Sequence, residues 1–131
     1  MSAFSNYAEE KIVDHFLRNT SVASPGTVYL ALFESDPTDA ASGTETSYTN
    51  YARQASTWTA LDGAGQTKNS GSVSFPANGN ASASVTITHA AIFDALTSGN
   101  MIIHGPLATS KTLAVGDVLS FAANALVITL D

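Results

Sequence analysis

An apolar run, Thr27-Val28-Tyr29-Leu30-Ala31-Leu32-Phe33, leads directly into an acidic segment, Glu34 to Thr49. Residues on both alternating faces of the run are apolar, which predicts a strand covered on both sides. A strand of that kind must lie inside a sheet with a layer above and a layer below. The segment after it carries Glu34, Asp36, Asp39 and Glu45 and no Lys or Arg. Structureless connections of that length are uncommon in compact domains and are usually functional or disordered. The chain therefore sets a rigid inner strand beside a charged excursion.

The 131 residues predict one domain, long enough to bury a core without staples. Charged residues make up 12% of the chain, about half the usual share. Hydroxyls and amides must then supply the polar surface, which suits a protein packed against copies of itself or a partner. The net charge is −6, and the five cations, Lys11, Arg18, Arg53, Lys68 and Lys111, are scattered. Neutralising phosphates takes clustered cations, so neither nucleic acid nor an anionic membrane is an expected partner. With no cysteine there is no disulfide or thiolate chemistry. No apolar run approaches the roughly 20 residues of a membrane-spanning helix. The first residues lack the order of a signal peptide, which predicts assembly in the cytosol.

One helix is predicted over residues 5–18. Asn6 with Glu9 resembles a capping box, with Ser5 as the other candidate cap. Ala8, Ile12, His15 and Phe16 fall on one stripe, widened by Val13 and Leu17, and this stripe is expected to face the core. Ser24-Pro25-Gly26 forces a turn. Alternation then predicts strands over 51–59, 72–75, 84–89 and 91–93 (two pieces, or one bent strand), 101–104, 118–121 and 126–130. Turns are expected at 62–65, 98–100 and 116–117, and Asn78-Gly79-Asn80 has hairpin chemistry. The expected fold is mainly β, an antiparallel sandwich or barrel of about eight short strands over 27–131 with one N-terminal helix.

Chemistry-bearing residues are sparse. His89 and His104 lie on neighbouring strand segments, near Asp94, where a metal could be held, but backbone-bonded strand histidines explain them as well. Asp36, Asp39 and Glu45 offer hard oxygen ligands without the spacing of a calcium loop. Gly63-Ala64-Gly65-Gln66-Thr67-Lys68 lacks the spacing of a phosphate cradle. No nucleophile elbow is present, and no pair of carboxylates stands out for glycoside cleavage. Trp58 is a core anchor by default and a sugar-stacking platform in the minority reading. No enzyme and no cofactor are expected. Glu34, Asp36, Asp39 and Glu45, with Tyr48 and Tyr51 at the segment's end, form the candidate partner interface, since Tyr buries area at low entropic cost.

Several segments carry a likeness. Met1-Ser2-Ala3-Phe4-Ser5-Asn6-Tyr7, Asp14-His15-Phe16-Leu17-Arg18-Asn19-Thr20 and Val28 to Phe33 with Asp36-Pro37-Thr38-Asp39 resemble small virion proteins of tailed phages. So do Tyr51-Ala52-Arg53-Gln54, Ile87 to Ala95 and Gly99 to Leu107. The last two blocks look like a hairpin of tail-collar fibre proteins. Members of this family are commonly labelled tail fibre proteins. The resemblance implies a non-enzymatic structural part of a virion, assembled in the bacterial cytoplasm, with the major capsid protein or tail proteins as partners and a dimer or trimer as its own state. A single domain of this size cannot form a shaft, so capsid cement is the leading expectation, bridging coat subunits through the acidic loop. A small tail fibre or fibre adaptor is the second, and a glycan-binding module for host attachment the third. On the cement reading, deletion of 36–47 should leave a folded protein that no longer decorates particles.

Overall fold

A computed structural model describes residues 3–130. Met1 and Ser2, which open the first family-like segment, and Asp131 lie outside the described residues. The strands are β1 (Ala3–Phe4), β2 (Val28–Phe33), β3 (Gln54–Ser56), β4 (Gln66–Lys68), β5 (Val73–Ser74), β6 (Val85–Phe93), β7 (Met101–Leu113), β8 (Ser120–Phe121) and β9 (Val127–Thr129), with one helix, α1 (Asn6–Leu17). The order β1-β7-β6-β2-β3 makes one antiparallel sheet, and β4-β9 and β5-β8 are two small ladders. The fold is mainly β and antiparallel, as the turn spacing predicts.

The apolar run behaves as its pattern requires. β2 lies between β6 and β3, and Leu30 to Phe33 are all buried. Leu30 and Leu32 enter the main core with Ile87, Ile92, Ile103 and Leu113 of the same sheet. The same core holds Val73 of β5, Phe75 and Leu119, with Phe121 of β8, Ile128 of β9 and the adjoining Leu126 packed against it. The sandwich's second layer is therefore two short ladders, not a continuous sheet. Ala31 and Phe33 point the other way, into a smaller cluster with Ala91, Phe93 and Met101. The rings of Phe33 and Phe93 stack there, with centroids 6.2 Å apart. Burying a side chain such as Leu32 or Ile87 completely stabilises by about 1.5–3 kcal/mol.

Several expectations need correction. β6 and β7 are long, not short, and β1 and β4 are strands the alternation does not reveal. Of the two readings of 84–93, the single bent strand holds: β6 runs unbroken over Val85–Phe93, with an irregularity between Ile87 and His89. Opposite it, Leu107 to Ser110 fall between the registers of Pro106 and Lys111, so the pairing of β7 is interrupted by a bulge there. The predicted strand over 51–59 contracts to β3, because Arg53 turns inward and Trp58 makes only an isolated bridge to Asn69. Asn78-Gly79-Asn80 is not a hairpin turn. The Asn78 amide is buried and donates to the carbonyls of Ala83 and Leu113, plugging the end of β6 and β7.

The helix is correctly placed but rotated from the expected face. Ser5, not Asn6, is the cap: its Oγ accepts from the Ala8 N–H at 3.1 Å and donates to the Met101 carbonyl. The Ser5 N–H donates to Ile102 and the Asn6 N–H to Asp39, fixing how the helix enters. The buried positions of α1 are Ala8 and Asp14. Ile12, Val13, Phe16 and Leu17 face outward.

Candidate interaction surface

The acidic segment is fastened to the sheet at its two ends and, through His104 of β7, at Asp39. The Glu34 N–H donates to Thr44 and the Thr46 N–H to Leu32, so the segment returns to the strand it left. Phe33 and Glu45 form an isolated antiparallel bridge. Asp36 accepts the Thr38 N–H through its carboxylate at 2.9 Å, a local turn that its side chain closes. Gly43 lies so close to Asp36 and Pro37 that a Cβ there would sit 2.5 Å from the Asp36 carbonyl oxygen. Only glycine permits that approach.

Arg53 is the hub beneath the segment. Its Nε and Nη2 donate to the two oxygens of Glu45, each at 2.8 Å, and its Nη1 donates to the carbonyls of Ala95 and Ser98. The guanidinium also stacks over Phe93, 3.7 Å from the ring centre. The bidentate pair plus two carbonyls occupies four of the five N–H donors of this buried arginine. Glu45 also accepts from the Tyr51 hydroxyl, which in turn accepts the Leu32 N–H. Burial, followed by the neighbouring Glu45 charge, holds the Tyr51 hydroxyl protonated far beyond its ordinary range, against the opposing Leu32 N–H. Tyr48 is buried, its hydroxyl donates to Pro76, and burial raises its pKa too.

The six predicted interface residues therefore separate. Glu45, Tyr48 and Tyr51 hold the fold together. Glu34, Asp36 and Asp39 remain at the surface, although Glu34 also accepts from the Thr46 hydroxyl at 2.7 Å. Asp36 and Asp39 flank His104 of β7, at 3.8 Å from Nδ1 and 3.0 Å from Nε2, with carboxyl groups 60% and 55% exposed. Sequence reasoning noted Arg53 and His104 without assigning them this anchoring role. An arginine in an alternating strand segment is a weak signal, because the pattern alone does not say which face is covered.

The other candidates are dispersed. His89 bonds to its neighbour Thr88 and His104 to Asp39, so the two rings share no ligand position. Asp94 accepts from Asn100 in the β6–β7 turn. Among the described residues no group of three or more His, Asp or Glu is placed to hold a metal ion. The N–H groups of Ala64 and Gln66, which a phosphate would need, donate to Asp62 and lower its pKa. Trp58 is half-buried against the core and donates to Ser56. No helix among the described residues is long and apolar enough to cross a membrane.

What the arrangement offers is a fixed acidic surface, Glu34, Asp36 and Asp39, carried on a rigid sandwich. Residues 3–129 match the family described as Podophage GP4 fiber I protein gp80. No curated protein matches the chain. The match spans nearly all of the chain, and the protein belongs to the podophage GP4 fibre I protein gp80 family, a family of tailed-phage fibre proteins.

Proposed function

We propose that the protein is a compact, non-enzymatic part of a podophage fibre apparatus, which docks on another protein of the same virion through Glu34, Asp36 and Asp39. The observation that carries this reading is the family match over residues 3–129. The pinned segment supports it, because surface carboxylates held on a rigid frame lose little freedom on binding. The partner is a basic patch on a neighbouring virion protein, where charge complementarity sets register more than affinity. Many copies on one particle would add avidity to a modest contact.

Capsid cement is the second reading. It is favoured by the small folded unit, which shows no shaft among the described residues. Copy number separates the two. Quantitative mass spectrometry of purified virions should find a few to tens of copies for a fibre part and on the order of hundreds for a cement layer. For the docking surface, an Asp36→Asn, Asp39→Asn double variant should fold normally and be depleted from particles. Undiminished incorporation of that variant would remove the acidic surface from the mechanism.

A further inference from the structure

Asn78 is the one asparagine of the chain that is followed by glycine. In an open chain that pair is chemically unstable. Glycine has no side chain to shield its backbone nitrogen, so the Gly79 nitrogen can attack the side-chain carbonyl carbon of Asn78. The new C–N bond closes a succinimide ring. The side-chain nitrogen leaves as ammonia, carrying the proton that the Gly79 nitrogen gives up. Water then opens the ring at either carbonyl and leaves aspartate or isoaspartate.

The fold ties down both reacting groups. The Gly79 N–H donates to the Thr49 carbonyl at 3.0 Å. Asn78 is 1% exposed, and its Nδ2 donates to the carbonyls of Ala83 and Leu113 at 3.1 and 3.0 Å. Its Oδ1 accepts the Asn80 N–H, its own N–H donates to Asp117, and its carbonyl accepts from Gly116. A side chain held at both ends cannot swing onto the neighbouring nitrogen. The same contacts explain why so reactive a pair stands here. A Cβ at position 79 would lie 2.3 Å from the Asn50 side-chain nitrogen and 3.0 Å from the Thr49 carbonyl oxygen, which requires glycine. The two carbonyls at the end of β6 and β7 require a side chain with two N–H donors at position 78.

We propose that Asn78-Gly79 is a deamidation site that folding switches off, and that the modified chain is shut out of the native state. The aspartate product brings a carboxylate, which only accepts, against two carbonyl oxygens in a buried site. The isoaspartate product lengthens the backbone by one carbon and displaces Gly79 from Thr49. The reaction therefore runs in one direction: a chain left open ages chemically and loses the capacity to fold, whereas a folded chain is preserved.

This inference does not depend on the fibre reading, and its test is made on the full chain. Folded protein and protein in guanidinium chloride are kept at the same mildly alkaline pH and sampled over several days by peptide mass spectrometry. In denaturant, Asn78 should deamidate ahead of every other asparagine, including Asn69, which precedes Ser70. In the folded protein it should react at least about 100-fold more slowly, because only rare opened molecules are competent. Comparable rates in the two states, or a denatured-state rate at Asn78 no faster than at Asn69, overturns the site. When denaturant is removed, molecules modified at Asn78 should be missing from the fraction that regains its near-ultraviolet signal. Asn78→Asp, made directly, should fail to fold or should unfold at lower denaturant concentration, while Asn19→Asp at the exposed end of the helix should behave as wild type. An Asn78→Asp chain as stable as the wild type overturns the exclusion from the native state.

Discussion

At the scale of single residues, the acidic segment depends on one relay. The Leu32 N–H donates to the Tyr51 hydroxyl, that hydroxyl donates to Glu45, and Glu45 takes both forks of Arg53. Each group satisfies a neighbour that would otherwise be buried without a partner, and leaving one unsatisfied costs about 1–3 kcal/mol. Tyr51 gives the relay a pH signature. Its folded pKa is raised above the ordinary value of 10.0, so the unfolded chain releases this proton first. The contribution to stability is complete below that ordinary value and declines as pH rises above it. Urea denaturation should therefore show stability falling above about pH 10, and falling less steeply in Tyr51→Phe. Equal slopes in the two proteins would mean that Tyr51 does not carry the effect. Nothing in the string Tyr51-Ala52-Arg53 announces this relay, because its partners lie on other elements.

At the scale of elements, the acidic segment and the helix are where sequence and structure diverge. Length and charge predict a loop that can be removed without unfolding the protein. The structure makes that loop the counterion of a buried arginine, 8% exposed at its side chain. Removing one partner of such a pair costs about 3 kcal/mol, because the remaining charge has no solvent to turn to. Glu45→Ala should lose about that much, and deletion of 36–47 at least as much, both read as a shift in denaturation midpoint. Arg53→Met in the Glu45→Ala background should recover part of the loss. A deletion variant as stable as the wild type would return the segment to the status of a free arm. For the helix, periodicity identifies the apolar stripe correctly and misplaces it. Hydrophobic pattern says which residues avoid water, not whether the sheet or another molecule covers them.

At the scale of the whole molecule, one core joins the five-stranded sheet to both small ladders. Neither ladder, of two or three residue pairs, would stand alone. Buried Asn69 acts as a staple between them. Its amide donates to Gly71 and Ala122 and its oxygen accepts the Leu126 N–H. The chain should therefore unfold as one unit, with far-ultraviolet and near-ultraviolet signals and Trp58 fluorescence giving coincident transitions. Two separated transitions would show the ladders to be an independent part. The same connectivity suits a virion component, because a load applied anywhere on its surface passes through one shared core.

Alternation, turn residues and a helix start are local properties, and they alone determine the mainly antiparallel β class, the inner position of Val28 to Phe33 and the single N-terminal helix. The stretch from Val28 to Phe33 is apolar on both faces, and only a covered strand accommodates that. Local pattern cannot specify rotation or partnership. The rotation of α1, the inward turn of Arg53 and the pairing of β4 with β9 depend on residues distant in the chain: Met101, Glu45 and Val127 among them. Those contacts exist only once the chain has closed on itself, and they turn the acidic stretch after the inner strand from a loop into a fastened surface.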